Sequence, residues 1–231
     1  MSPSPAVEYA QHALAAAADP DKASGMQAYM KTDMPFYGVQ KAGRTPISRK
    51  LRSDFPPADR EQYEDLVLAL WQLPHREEKY LAIGVARAHK KFVVPDSLPL
   101  YRRLVTEGAW WDFVDEVATH PIRDHVVGFP DETWPEVDGW IDDEDMWLRR
   151  AAILCQIGAK KATDTERLFR FCLRRAYEKE FFIRKAIGWA LREHAKTDPL
   201  AVAVFVRLHR DELSPLSFRE ATKHIGHLVG S

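Results

Sequence analysis

Apolar residues recur at intervals of three and four along most of this chain. In the segment 63–71 they stand at positions 63, 66, 67, 70 and 71, and the segment 168–176 shows similar spacing. Because 3.6 residues make one helical turn, this spacing puts a broad apolar stripe on one helix face. Convincing strand-like alternation is absent. The pattern therefore predicts about a dozen helices of roughly 10 to 16 residues with short connections.

Proline marks the breaks between these stripes, where it can end one helix or open the next. The dipeptides and tripeptides concerned are Asp19-Pro20, Phe55-Pro56-Pro57, Leu73-Pro74, Val94-Pro95, Phe129-Pro130, Asp198-Pro199 and Ser214-Pro215.

Four seven-residue segments resemble one another, and each has alanine at its third position. They are YLAIGVA, RAAILCQ, RKAIGWA and REATKHI, with the shared alanines at 82, 152, 186 and 221. The alanine separations of 70, 34 and 35 indicate a period of about 35 residues and predict a further member near residue 117. Small residues at one register permit close helix stacking, and a two-helix unit of this length is typical of HEAT-like repeats.

The alignment also makes the residues two positions before the four alanines, and before residue 117, equivalent to one another. These residues are Tyr80, Asp115, Arg150, Arg184 and Arg219, and they form one register of the repeat. A solenoid has a concave groove lined by equivalent positions. If this register faces the groove, one carboxylate lies among several guanidinium groups; the alternative is that the register tilts toward solvent.

The formal net charge of −1 conceals an uneven distribution. Residues 1–106 carry +3, residues 107–145 carry −12, and residues 146–231 carry +8. The C-terminal third is therefore a candidate polyanion-binding surface. The alternative is a set of solvated helix faces.

Metal, nucleotide and membrane chemistry receive no support from the sequence. Cys155 and Cys172 lie within apolar helical patterns without a metal-ligand partner, so we expect buried free thiols. HExxH, GxGxxG and GxxxxGK[ST] segments are absent, and we expect neither a metal nor a cofactor. Since no apolar run approaches the roughly 20 residues of a membrane span and the first residues lack a signal pattern, we expect a cytoplasmic protein.

The segment WWDFVD, at 110–115, is the candidate for chemistry. Trp111 and Asp115 are four residues apart and project from the same helical face, so an indole stands beside a carboxylate. The structural alternative is that Trp110 and Trp111 pack in the core while Asp112 and Asp115 cap or solvate the helix start.

Seven stretches resemble the AlkD family of DNA glycosylases and span nearly the whole chain. They are QAYMK, FYGVQ, LWQLPHRE, WWDFVD, WLRRAAIL, EFFIRKAIGWALREHAKTDP and SPLSFREATKHI. With the repeat, the resemblance predicts an all-α fold over residues 1–231: a single domain forming a right-handed solenoid of HEAT-like two-helix repeats with a concave basic groove.

The resemblance implies a catalytic site of Asp115, Trp111 and Trp189, with Arg150 beside it and Tyr29 at the edge of a DNA groove. We expect Arg150 to contact a phosphate, together with further basic residues at Arg184, Lys185, Arg192 and Lys223.

The implied reaction is hydrolysis of the N-glycosidic bond of cationic purines, such as 3-methyladenine and 7-methylguanine, in duplex DNA. Asp115 would stabilise the electron-poor sugar or activate water, and these two roles stay open. The expected form is a monomer bound to alkylated double-stranded DNA. Two other functions remain as alternatives: a DNA-binding module without catalysis and a protein-interaction scaffold.

Overall fold

A computed structural model of the chain describes residues 4–230, and every regular element in that range is helical. The helices fall into two compact units that divide between Phe92 and Val93. The first unit contains α1 (Pro5–Ala16), α2 (Pro20–Met30), α3 (Lys41–Asp54), α4 (Arg60–Trp71), α5 (Arg76–Ala88) and a 3-10 turn (Lys90–Phe92). The second unit contains a 3-10 turn (Pro95–Ser97), α6 (Leu98–Gly108), α7 (Trp111–Val117), a π-helix (Ala118–Ile122), α8 (Arg123–Gly128), α9 (Pro130–Trp140), α10 (Met146–Leu154), a 3-10 turn (Lys160–Ala162), α11 (Thr165–Arg174), α12 (Phe181–His194), α13 (Pro199–Leu208), α14 (Pro215–Thr222) and α15 (Gly226–Val229). The predicted all-α class is confirmed, and the single domain over residues 1–231 stays a prediction.

Several helices begin where the sequence places proline after a short polar residue. In α2, α13 and α14 the residue before proline is the N-cap, and its side-chain oxygen accepts a main-chain N–H of the first turn. Asp198 Oδ1, for example, accepts from Ala201 N over 2.9 Å. Proline fits the first helical position because its missing N–H has no partner there anyway. Proline also lies inside helices, as at Pro46 and Pro135, which the sequence pattern did not predict.

A buried carboxylate fixes the loop between α2 and α3 in the first unit. Glu77, fully buried in the first turn of α5, accepts the main-chain N–H groups of Tyr37, Gly38 and Val39 over 3.0, 2.9 and 2.9 Å. Gly38 has a φ of +86°, and an added Cβ would lie 1.9 Å from the Asp19 carbonyl oxygen, so glycine is required here. These contacts hold the FYGVQ segment against the LPHRE segment.

The second unit shows why its repeats carry small residues. The repeat alanines Ala152, Ala186 and Ala221 lie in α10, α12 and α14, and all three are buried. α12 and α14 approach so closely that a Cβ added to Gly188 would lie 2.5 Å from the Cβ of Glu220. The GW pair of the GWALRE segment thus combines a close helix contact with a large aromatic side chain. Ala82, in α5 of the first unit, is buried as well.

Two further expectations concern the whole described range. Cys155 and Cys172 are buried free thiols, as predicted, and burial raises the pKa of both. Among residues 4–230, no helix combines the length and the apolar character that crossing a membrane requires.

Candidate functional site

A carboxylate and a guanidinium meet where α7 packs against α10 in the second unit. Asp115 lies near the end of α7 and Arg150 lies in the middle of α10. Arg150 Nε donates to Asp115 Oδ1 over 2.7 Å, and Nη2 donates to Oδ2 over 2.8 Å. Two parallel charge-assisted hydrogen bonds of this kind fix both position and orientation. Of the repeat register predicted from the sequence, Arg150 supplies the guanidinium that reaches the carboxylate.

Contacts from α12 hold the Arg150 side chain in place. Its Nη1 donates to the carbonyl of Phe182, and the centre of its guanidinium lies 5.8 Å from the Phe182 ring centroid. Arg150 is only 4% exposed. Its guanidinium is therefore engaged by three acceptors and one ring, which makes it a rigid partner of Asp115. The predicted contact between Arg150 and a phosphate stays a prediction.

The Asp115 carboxylate is largely but not fully buried, with 15% of its side chain exposed. Burial raises its pKa above the ordinary aspartate value, and the negative charges of Asp112 and Glu116 add to that effect. The hydrogen bonds and positive charge of Arg150 act in the opposite direction. Arg150 thus stabilises the ionised form of a carboxylate that its surroundings would otherwise neutralise.

The two tryptophans of WWDFVD occupy different environments. Trp110 caps α7 and packs in an aromatic cluster, with ring centroids 5.9 Å from Trp147 and 5.5 Å from Phe182. Trp111 is the first residue of α7, is partly exposed, and shares a helical face with Asp115. The packing role considered from the sequence therefore describes Trp110. Trp111 is partly exposed on the helix face of Asp115, and its catalytic role stays a prediction.

Trp189 is the third predicted catalytic residue and lies on α12, where it is partly exposed. It follows Phe182, the residue that contacts Arg150, by seven positions. Seven residues make two turns, so both side chains project from the same face of α12, about 10 Å apart along its axis. Trp189 thus lies two turns along α12 from the residue that contacts Arg150, and its catalytic role stays a prediction.

A π-helix, Ala118–Ile122, follows α7 three residues after Asp115 and was not predicted. Within it, the Thr119 hydroxyl donates to the Asp115 carbonyl over 2.7 Å. Pro121 also lies in this segment and has no N–H to donate. Such one-turn widenings of a helix often occur at functional sites. Proline after WWDFVDEVATH was the only sequence signal for it.

Comparison with known proteins identifies the family. A model of the DNA alkylation repair enzyme family matches residues 10–225. The chain belongs to this family. A solved structure described as a predicted DNA alkylation repair enzyme from Enterococcus faecalis is 29% identical, with a TM-score of 0.80 over 90% of this chain and 97% of that one. AlkD2 from Streptococcus mutans is 16% identical and shares the fold, with a TM-score of 0.62 over 87% of this chain and 98% of that one. No curated protein gave a significant match. The resemblance to the AlkD family and the helical-repeat fold are thereby confirmed.

Four of the six candidate DNA-binding residues of this DNA alkylation repair protein lie on α12 or at the end of α14. Lys185 Nζ lies 2.9 Å from Glu220 Oε1, and Arg192 pairs with the other oxygen of the same carboxylate. The hydrogen bond from Lys185 lowers the pKa of Glu220. Arg184 is half-buried and donates to a main-chain carbonyl in the loop before α12, while Lys223 is exposed at the end of α14. Phosphate contacts of all four residues stay predictions.

The structure narrows the polyanion-binding surface inferred from charge counts over residues 146–231. Arginines of α11 pair with Asp138 in α9 and with Asp142, which follows that helix. Arg167 and Arg170 reach Asp138 over 3.0 and 2.7 Å, and Arg174 reaches Asp142 over 2.9 Å. These ion pairs neutralise part of the basic excess of residues 146–231. The polyanion-binding surface in this third of the chain stays a prediction.

Tyr29 lies in the first unit, on the last turn of α2, and is 72% exposed. It borders a pocket in that unit. Its predicted place at the edge of a DNA groove stays a prediction.

Proposed function

We propose that this protein is a monofunctional DNA glycosylase that hydrolyses the N-glycosidic bond of cationic alkylated purines in duplex DNA. Substrates of this class include 3-methyladenine and 7-methylguanine. The observation that carries the proposal is the Asp115 carboxylate, which is largely buried, bound by a bidentate guanidinium and on the same helix face as Trp111. The reaction needs neither metal nor cofactor, and the protein works as a monomer in the cytoplasm.

The substrate itself supplies much of the reactivity. A purine alkylated at ring nitrogen 3 or 7 is cationic and departs as a neutral base, so the leaving group needs little acid assistance. The deoxyribose left behind resembles an oxocarbenium ion, which a nearby carboxylate stabilises as in glycoside hydrolysis. The same carboxylate can take a proton from the attacking water, a general-base role typically worth about 10² to 10⁴ in rate.

Arg150 is a positioning residue in this mechanism. It restrains both oxygens of Asp115, and the contacts from Phe182 in turn restrain the guanidinium. A carboxylate fixed before the sugar arrives needs no reorganisation as positive charge develops. The surroundings of Asp115 stay net negative despite Arg150, because Asp112 and Glu116 add their negative charges to that of Asp115.

Trp111 and Trp189 would present the negative faces of their indoles to the cationic sugar or base. Such contacts contribute about 0.5 to 2 kcal/mol each when partly desolvated. They also exclude bulk water, which strengthens the interaction between Asp115 and the sugar.

Phosphate contacts would come from the α12 and α14 side chains, with Lys185 and Arg192 sharing Glu220 between them. A phosphate approaching this group competes with one carboxylate for two cations. Removing one phosphate contact makes the slope of log K against log salt concentration shallower by about 0.9 units.

One incubation tests the proposed reaction. Pure protein is mixed with duplex DNA containing 7-methylguanine, without added metal, and free base is measured. We expect release by the wild type and a loss of about 100-fold or more in Asp115→Asn, which removes the charge and keeps the shape. Asp131→Asn, the same change at an exposed position of α9, is the matched control and should release base at the wild-type rate.

The outcomes separate the competing functions. Equal release by wild type and Asp115→Asn would remove Asp115 from the mechanism. Binding of the duplex without any base release would favour a DNA-binding module, and absence of binding at low salt would favour a protein-interaction scaffold.

A further inference from the structure

A pocket of about 650 Å³ lies in the first unit, between α2 and the start of α3. Its volume is in the range of sites that hold small organic ligands. Three aromatic side chains line it, together with two methionines and three cations, and none of its lining residues is acidic. The aromatic residues are Tyr29, Phe36 and Tyr80. The cations are Lys41, Arg44 and Lys22, of which Lys22 is in a salt bridge with Asp19.

The aromatic surfaces of the pocket differ in availability. Phe36 is buried. The guanidinium of Arg44 lies 4.3 Å from the centroid of the Tyr80 ring, and Arg44 Nη1 donates to the Val39 carbonyl over 2.7 Å. One face of Tyr80 is therefore already covered. Tyr29, at 72% exposure, offers the large ring surface that a ligand can cover.

One helix supplies much of the pocket wall. Lys22, Met26 and Tyr29 lie at intervals of four and three along α2 and so share one face of that helix. Gly25 lies beside them, and an added Cβ there would meet no atom within 4 Å. The open space next to Gly25 belongs to the pocket, since this glycine lines it.

We propose that this pocket binds one unpaired nucleotide, with its base stacked on Tyr29 and its phosphate drawn toward Lys41 and Arg44. Aromatic faces combined with the cations Lys41 and Arg44 suit a nucleobase carrying a phosphate, because stacking tolerates any base and the cations complement the anion. The proposal deepens the proposed function, on which it rests for DNA as the nucleotide source. A free nucleotide carries the same two groups, a base that stacks and a phosphate, and would suit the pocket in the same way.

A duplex with one bulged 2-aminopurine tests this, because the fluorescence of that base reports its stacking. The matched probe has the same sequence with every base paired. We expect the bulged duplex to bind about five- to a hundredfold more tightly, the usual contribution of one stacked base. Gly25→Leu, which fills the pocket from a position without contacts, and Tyr29→Ala should both abolish the preference.

Two controls match these variants. Gly139→Leu adds the same side chain at another helical glycine with open space around it, and Tyr177→Ala removes another tyrosine that is 72% exposed. Both lie in the second unit and should retain the preference for the bulge. Folding of each variant is checked by its thermal midpoint.

Equal binding of bulged and paired duplexes by the wild type, together with no binding of the free nucleotide, would overturn the proposal. Retention of the preference in both Gly25→Leu and Tyr29→Ala would overturn it too. Binding of free 2-aminopurine deoxynucleotide that Gly25→Leu abolishes, without preference for the bulge, would assign the pocket to free nucleotides and support the shared chemistry. Base release and its dependence on Asp115 are measured separately, so either proposal can fail alone.

Discussion

Removing Arg150 should lower both the stability of the protein and the rate of base release. In Arg150→Ala, the Asp115 carboxylate loses two hydrogen bonds of 2.7 and 2.8 Å and keeps only 15% of its side chain in contact with solvent. Leaving one charge of a buried pair without its partner typically costs about 3 to 5 kcal/mol. For a chain of this size, that corresponds to a decrease of about 6 to 20 °C in the thermal midpoint.

A double-mutant cycle measures how much of this loss comes from the pair. The single variants Arg150→Met and Asp115→Leu each leave one charge unpaired, whereas the double variant replaces the pair with apolar side chains. Because well-packed apolar replacements of buried ion pairs are often neutral in stability, we expect the double variant to be more stable than either single variant. The free energy of unfolding in urea is the measurement. Losses that simply add, within about 0.5 kcal/mol, would refute the coupling.

The salt dependence of duplex binding separates the two roles considered for Arg150. If its guanidinium serves only Asp115, the slope of log K against log salt stays unchanged in Arg150→Met. If Arg150 also contacts a phosphate, the slope becomes shallower by about one unit. The geometry favours an unchanged slope, since the side chain is 4% exposed and bonded to Asp115 and the Phe182 carbonyl.

Two further predictions concern pH and helix packing. Burial raises the pKa of Asp115, and the ionised carboxylate is the active form, so base release should fall as the pH decreases toward a point above 3.8, the ordinary aspartate value. Glu116→Gln removes a negative charge that raises this pKa, so the fall should move to lower pH. The rate of base release across pH gives both results, and an unmoved profile in Glu116→Gln would count against the electrostatic account. Gly188→Ala should destabilise by about 1 to 3 kcal/mol, because its Cβ would lie 2.5 Å from the Cβ of Glu220, whereas Gly139→Ala meets no atom and should not destabilise. Thermal midpoints of the two variants test this, and equal midpoints would contradict it.

The features predicted best from the sequence were those that depend on local spacing. The prolines that open helices and the buried repeat alanines follow from period and register. The register placed Asp115 and Arg150 at equivalent positions but did not predict their ion pair. The Phe182 carbonyl that holds Arg150 had no such signal, because a main-chain atom is the same in every residue type. The π-helix also escaped prediction, since its wider turn leaves the apolar spacing nearly unchanged.

The charge counts by segment leave out the ion pairs between segments. Counting by segment treats each charge as free, although helices that stack as repeats bring distant segments together. Asp138 lies 29 residues from Arg167 in the chain, and their side chains are 3.0 Å apart. Asp138 of α9 and Asp142, which follows α9, are thus each paired with arginines of α11. A net charge of −1 consequently argues neither for nor against DNA binding in this chain, because what a phosphate meets is the set of cations left exposed after such pairing.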